Sequence, residues 1–384
     1  MVLTPRNYLP CRNPEPLHGG HRPSIHRRNV ALVGWQSQQV LMDSAYSSMR
    51  PIDVVVNSAG PWSTVRVEQP FLALDRLGWD VQFVATPFDP DSQIRDGALV
   101  VWQRPLPSSA DTWKTVLARL QSRRCLVLVE WDDHPGLFPP SIAKRLAEVD
   151  HIHLRCCHGI QTSNADLAKV LRKFNPNVFV VENGIYPVGP LRSRVDCDQE
   201  RVFIGNFNRE SEQRYLAEDL LRWLDDCLGL CLVLVGNSGL EGLLPSHRIE
   251  IHPPLPYSAY RKILSSCQVA LLPLQLGEPQ SCKTPIKWLE ASAESVAVVG
   301  GPELYGPWLE DGRYGLYARS LDELVPLARQ LINQPLLRQK IITNAYKRTK
   351  DFHLERLLCW RIELYRYLDR ISASLDISLQ RRFF

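Results

Sequence analysis

No stretch of this 384-residue chain approaches the roughly 18 consecutive apolar residues that a membrane-spanning helix needs, so the sequence offers no candidate span. None of the ten cysteines forms a C-x-x-C pair. The adjacent Cys156 and Cys157 cannot make an ordinary bridge with each other, and all ten are read as reduced thiols. The nearby His151, His153 and His158 complete no zinc signature, so no metal site is expected. No apolar run leads into G-x-G-x-x-G, which removes a dinucleotide-dependent dehydrogenase. A strong charge imbalance is also missing. Of the net +4, most comes from residues 1–48, with five Lys/Arg against two Asp/Glu, and the nearly neutral body argues against a nucleic-acid partner. The end is more basic: Lys347 to Phe384 holds nine Lys/Arg against five Asp/Glu and closes on Arg381-Arg382-Phe383-Phe384. Two readings fit it, a peripheral contact with anionic membrane and a solvated helix face with a frayed end.

What is present is a soluble globular composition, 45% apolar and 22% charged, on a chain long enough for two domains. Residues 1–48 carry Pro, Arg, His and Asn without apolar periodicity and read as a disordered leader or a misassigned start; no secretory signal fits them. From Ile52 the pattern alternates. Ile52 to Val56, Val81 to Ala85, Ala98 to Trp102, Leu126 to Val129, Ile152 to Leu154 and Val178 to Val181 are short apolar runs of the kind buried parallel strands show. Helical segments lie between them, one opened by Ser163-Asn164-Ala165-Asp166 as a capping box. Tyr186 to Glu200, with two prolines and mixed charge, reads as a linker. Beyond it the strand rhythm returns at Val202 to Ile204, Leu230 to Val235, Ile249 to Ile251, Val269 to Leu272 and Val296 to Val299, and Ser320 with Glu323 makes a second capping box. The fold class is therefore α/β, with two parallel-sheet domains of the same architecture.

In such sheets ligands bind beyond the carboxyl ends of the strands. The loops there that are rich in polar residues or glycine are Asn57 to Arg66, Glu130 to Pro135, Gly205 to Arg209 and Gly236 to Gly239. A fifth segment, Pro279 to Glu290, combines a loop with a helix start. On a helix Lys283, Lys287 and Glu290 share one face. Lysines at a helix N-terminus neutralise a diphosphate, and a carboxylate accepts from ribose hydroxyls. A solvated ion-pair face is the plainer reading of the same spacing. In the first loop Gly60 permits close backbone approach and Arg66 is placed for bidentate phosphate pairing, although Gly60 also suits a simple turn. Asp132, Asp133 and His134 are candidates to orient an acceptor hydroxyl or to stabilise charge at a reacting centre, with capping as the alternative for either aspartate.

Lys287 to Val299 resembles the donor-site helix and strand of GT-B glycosyltransferases, in particular the retaining family-4 (group 1) enzymes. Gln161-Thr162-Ser163, Val181-Glu182-Asn183-Gly184-Ile185, Phe203-Ile204-Gly205, Leu234-Val235-Gly236 and Asp311-Gly312-Arg313-Tyr314-Gly315-Leu316 resemble further landmarks in the family's order. The resemblance implies two facing Rossmann-like domains: an acceptor domain over 49–187, a linker over 188–200, a nucleotide-sugar domain over 201–350 and helices over 351–384 that cross back. It implies sugar transfer with retention, from a nucleoside-diphosphate sugar to a glycan, lipid-linked or cell-envelope hydroxyl, with no metal or other cofactor, in the cytoplasm or at the inner face of the membrane. The catalytic candidates are then His134, Asp133, Arg209, Lys287 and Glu290, and the donor-binding ones Gly60, Arg66, Gly205, Asn206, Gly236, Lys283, Lys287 and Glu290. Two departures stand out. The first of the family's two glutamates falls at Cys282, and its Arg/Lys pair falls at Asn206 and Ser211. Arg209, Lys283 and Lys287 are the candidates to replace that charge. The missing glutamate also favours a rival, a noncatalytic GT-B-like nucleotide-sugar-binding or scaffold protein.

Overall fold

The computed structural model describes residues 50–57, 60, 63–195, 199–205 and 209–383, so the segment 1–48 and Asn206 lie outside the described residues. Two all-parallel six-stranded sheets form the molecule. The first contains β1 (Ile52–Val56), β2 (Val81–Ala85), β3 (Leu99–Gln103), β4 (Leu126–Glu130), β5 (Gly159–Thr162) and β6 (Val178–Val180), in the order β2-β1-β3-β4-β5-β6. The second contains β7 (Glu200–Ile204), β8 (Leu230–Val235), β9 (Ile249–His252), β10 (Val269–Leu274), β11 (Ala297–Pro302) and β12 (Leu316–Tyr317), in the order β12-β11-β10-β7-β8-β9. The expected α/β class and GT-B layout hold. Every residue of β4, β8 and β10 is buried, which is why these strands read as unbroken apolar runs: helices cover both faces of each sheet.

Strand order reverses between β1 and β3 in the first sheet and between β7 and β10 in the second, and these switch points are where crevices open. Register aligns the strand ends. Val56 pairs with Gln103 and Gln103 with Glu130, so residues just past β1, β3 and β4 emerge side by side.

Three local expectations are corrected. Ile152 to Leu154 is not a strand but part of a short helix, Ile152–Arg155, entered through left-handed Asp150 and His151 (φ 49° and 48°). Asn164 rather than Ser163 caps α2 (Ala165–Leu171); its Oδ1 accepts from the Leu167 N–H at 2.8 Å. Ser320 makes no side-chain cap, and the Glu323 carboxylate instead accepts from the Arg319 N–H at 2.7 Å.

Earlier in the first domain, α1 (Gln69–Arg76) follows β1. In the second domain α3 (Glu210–Asp226), α4 (Tyr257–Leu264) and α5 (Ile286–Ala293) matter for the site. The last two helices, α6 (Leu354–Arg370) and α7 (Ser372–Phe383), leave the second domain and pack on the first. Leu354, Leu358, Ile362, Tyr365 and Leu368, at spacings of three and four, form the α6 stripe that meets Ile52, Val54, Phe71 and Leu128. The two chain crossings touch: Ile185 N–H donates to the Phe352 carbonyl at 2.8 Å and Leu354 N–H to the Ile185 carbonyl at 3.2 Å.

The C-terminal end is docked. Leu379 is fully buried in the first-domain core, and Arg382 donates to the carbonyls of Arg155 (3.0 Å) and Cys157 (2.8 Å). Leu379→Ala is expected to destabilise the first domain by about 2–5 kcal/mol through the cavity it leaves. Urea unfolding followed by far-UV circular dichroism reads this out, and an unchanged midpoint would mean that α7 lies outside the packed domain.

The same core holds an uncompensated imidazole. His153 is fully buried against Trp113 and Trp131, with ring centroids 6.4 and 4.9 Å away, and neither of its nitrogens has a hydrogen-bond partner among the described residues. Burial, with a smaller push from His151, holds its pKa down to about 3. Below about pH 6.5 the unfolded imidazole takes up a proton and the folded one does not, so the unfolded state binds more protons and stability falls as the pH drops through that window. His153→Phe is expected to flatten this fall between about pH 6.5 and 4 relative to the parent. Parallel slopes of urea midpoint against pH would defeat the assignment.

Candidate active site

A cleft of about 530 Å³ opens between the carboxyl ends of the two sheets. Its first-domain wall comes from the residues after β1, β3 and β4. Arg104, at a left-handed φ of 41° just past β3, is its organising side chain. Nε bonds Asp132 Oδ1 at 2.7 Å and a terminal nitrogen bonds Asp133 Oδ2 at 2.6 Å, so one guanidinium fixes both carboxylates. Burial opposes the charge on each partner, yet the pairing prevails: the Arg104 pKa rises above its usual value and that of Asp132 falls below. Asn57 Nδ2 donates to the Arg104 carbonyl at 3.0 Å and holds the strained turn in place.

The second-domain wall is the stretch around the start of α5. Here the spacing argument needs correction, because Lys283 is not on the helix. Proline at 285 lacks an N–H and disfavours the helical region for Thr284, so α5 begins at Ile286 and Lys283 sits in the preceding turn. Its ammonium still reaches the cleft, 3.5 Å from Asp133 on the opposite wall. Burial lowers the Lys283 pKa, with Asp133 opposing the shift. No side chain caps α5, whose N-terminus lies beside Thr284, Ile286 and Lys287 on the cleft wall. Lys287 Nζ is 3.1 Å from Glu290 Oε2 and 4.4 Å from the Tyr260 ring centroid. Glu290, 2% exposed, accepts a further bond from the Tyr260 hydroxyl at 2.8 Å. Arg209, at the entrance to α3, and Gly205, past β7, complete this wall. A Cβ on Gly205 would stand 3.0 Å from Leu272 and 3.2 Å from the Leu271 carbonyl, which the parallel strand leaves little freedom to yield.

The structure therefore gathers Asp133, Arg209, Lys283, Lys287, Glu290, Gly205 and Arg66 on one cleft and leaves others off its lining. His134 turns to its own loop, where Nδ1 accepts from the Gly136 N–H at 2.9 Å. Gly60 is held in a turn by Ser63 Oγ, which accepts from its N–H at 2.9 Å and donates to its carbonyl at 2.7 Å. Gly236, at φ 100°, turns the chain after β8 and donates to the His252 carbonyl at 2.8 Å. Arg66 reaches the cleft floor but faces the protein: Nε donates to Glu130 at 2.8 Å, and one terminal nitrogen donates to the Val181 carbonyl at 2.6 Å and to Asn183 Oδ1 at 2.9 Å. Cys282 is buried in the first-domain core, and its carbonyl accepts from Asn164 Nδ2 at 2.5 Å. Asn183 Nδ2 donates to Thr284 Oγ1 at 2.8 Å. The segment before α5 thus bridges the two domains.

Sequence reasoning missed Arg104 and Thr284 on this cleft, and Tyr260 buried behind Glu290. Position alone signalled Arg104: it stands two residues past the apolar run Ala98 to Trp102, whose strand lies at a sheet's switch point.

Comparison with known proteins agrees with this architecture. Residues 209–356 match the family model described as glycosyl transferase-like. No curated protein matches the sequence. Sucrose-phosphate synthase of Thermosynechococcus elongatus superimposes with a TM-score of 0.60 at 15% identity, over 84% of this chain and 99% of that one. HepE of Anabaena, solved with UDP-glucose, gives 0.58 at 14% identity over 83% and 100%. TarM of S. aureus, solved with fondaparinux, alpha-GlcNAc-glycerol and UDP, gives 0.52 at 11% identity over 71% of this chain. The match spans just over half of TarM, 56% of its length. The chain has the GT-B fold, and its residues 209–356 resemble the glycosyl transferase-like family.

Proposed function

We propose that the protein is a retaining, metal-independent glycosyltransferase that moves a hexosyl group from a nucleoside-diphosphate sugar to a hydroxyl of a saccharide or lipid-linked acceptor in the cytoplasm. One observation carries the reading. Three cations, Arg209, Lys283 and Lys287, and the uncapped start of α5 surround the part of the cleft where Glu290 is held by Tyr260. Fixed positive charge of this kind stabilises a leaving diphosphate, and the glutamate suits the ribose hydroxyls. The same charge takes the place of a divalent ion. Both carboxylates on the opposite wall are tied to Arg104, which supports same-face attack by the acceptor rather than attack by an enzyme carboxylate. UDP and UDP-glucose in the neighbours make uridine diphosphate the first nucleotide to try.

The second reading, a binding protein without turnover, draws on Cys282, which stands at the family's first glutamate and is buried away from any sugar. Calorimetric titration with UDP, GDP and ADP, alongside hydrolysis of the matching sugar conjugates in EDTA, separates the two. Under the transferase reading one nucleotide binds, Glu290→Ala weakens it at least tenfold, and its sugar conjugate is slowly hydrolysed without metal. Binding with no turnover towards any acceptor would favour the binding protein, and no binding at all would remove the donor site.

A further inference from the structure

The three cations of the second-domain wall are held in different ways. Arg209 and Lys287 pair on their own wall, with Glu212 at 3.8 Å and with Glu290 at 3.1 Å. Lys283 pairs across the cleft: its ammonium lies 3.5 Å from Asp133 Oδ1, while Asp133 Oδ2 accepts from Arg104 at 2.6 Å. We propose that Lys283 is an exchangeable cation, held by Asp133 in the free protein and by the donor diphosphate in the complex, so that donor binding uncovers Asp133 Oδ1 to accept from the incoming acceptor hydroxyl. The proposal rests on the transferase reading and gives it an order, donor first and acceptor second.

Geometry decides which partner moves. Arg104 fixes Asp132 and Asp133 together and is itself held by Asn57 through its carbonyl, so the carboxylate stays in place when Lys283 leaves. The turn that carries Lys283 is tied to the first domain on both sides of it, by Asn164 Nδ2 on the Cys282 carbonyl at 2.5 Å and by Asn183 Nδ2 on Thr284 Oγ1 at 2.8 Å. What can swing is the lysine side chain, a flexible four-carbon stem ending in three rotatable donors. Its contact with Asp133 is also the looser one, 3.5 Å against the 2.6 Å of the Arg104 bond on the same carboxylate. Burial disfavours the charge on the ammonium, Asp133 opposes that shift and Arg209 adds to it, so Lys283 leaves one anion only for another. A diphosphate between Arg209, Lys283 and Lys287 supplies that anion with more charge than a carboxylate carries. Asp133 then remains paired through Oδ2, and Oδ1 is left on the cleft lining as a hydrogen-bond acceptor.

The test uses the full chain, titrated calorimetrically with UDP, GDP and ADP, and follows hydrolysis of the matching sugar conjugate with water as the acceptor. Lys283→Met is expected to weaken the nucleotide that binds by about tenfold or more. Asp133→Ala is expected to tighten it by about three- to tenfold, because Lys283 no longer has a partner to leave, and to slow hydrolysis by about tenfold or more. Affinity and rate then move in opposite directions, which a merely structural role does not produce. Asp133→Asn keeps the shape of the side chain and is expected to tighten the nucleotide likewise while keeping part of the rate. In the Lys283→Met background, Asp133→Ala is expected to change affinity by less than about twofold. Circular dichroism and the urea midpoint check that the variants are folded. The proposal is overturned if Asp133→Ala leaves nucleotide binding unchanged or weaker, if it tightens binding equally without Lys283, or if hydrolysis keeps the parent's rate. Nucleotide binding and hydrolysis with no coupling between Asp133 and Lys283 defeats this proposal and leaves the transferase reading standing; no binding of any of the three nucleotides defeats both.

Discussion

Lys287→Ala is expected to lower donor-sugar turnover by roughly a hundred- to a thousand-fold, the usual cost of removing one fixed donor from a site where charge develops. In the free protein its ammonium is already placed, 3.1 Å from Glu290 and above the Tyr260 ring, so no reorganisation is needed when the diphosphate leaves. The interaction strengthens as the leaving group gains charge, so kcat falls more than KM rises. Lys287→Arg keeps the charge but not its shape and is expected to recover only part of the rate. Single-turnover hydrolysis of the donor sugar measures this. A change confined to KM would show that Lys287 merely binds the ground state.

The largest expected loss of stability follows Glu130→Ala, about 3–5 kcal/mol in the first domain. Arg66 and Glu130 are 3% and 1% exposed at their side chains and stand 2.6 Å apart. Glu130 also accepts from Gln161, whose Oε1 accepts from the Tyr365 hydroxyl at 2.9 Å, and that hydroxyl lies 3.2 Å from buried Arg361. Removing the carboxylate leaves two buried guanidinium groups without the anion between them. The first-domain transition in urea reports the drop. Arg66→Met combined with Glu130→Leu is expected to restore most of it, because replacing a whole buried pair costs far less than orphaning one half. Equal losses in the single and double variants would mean that packing, not charge, is what the pair supplies.

This network also explains where the sequence was legible and where it was not. β4, β8 and β10 read directly, since a strand covered on both faces is apolar throughout. β5 did not, because Gln161 and Thr162 are polar residues in a buried strand and Gln161 serves the Glu130 and Tyr365 contacts; only the family resemblance marked it. Ile152 to Leu154 misled because three apolar residues carry no period that separates helix from strand. At the site, Lys287 and Glu290 were legible from helical spacing, whereas Lys283 reaches the same cleft through a turn set by Pro285. Arg104 escaped because its role depends on β3 and β4 lying side by side, which is a fact of topology rather than of spacing.

The meeting of Ile185 with Phe352 and Leu354 makes the second domain, topologically, an insert. Its entrance and exit lie one hydrogen-bonded step apart. It is a cassette: one cut near 185 and another near 353 would exchange the second domain between relatives, leaving both the strap of α6 and α7 and the first domain intact.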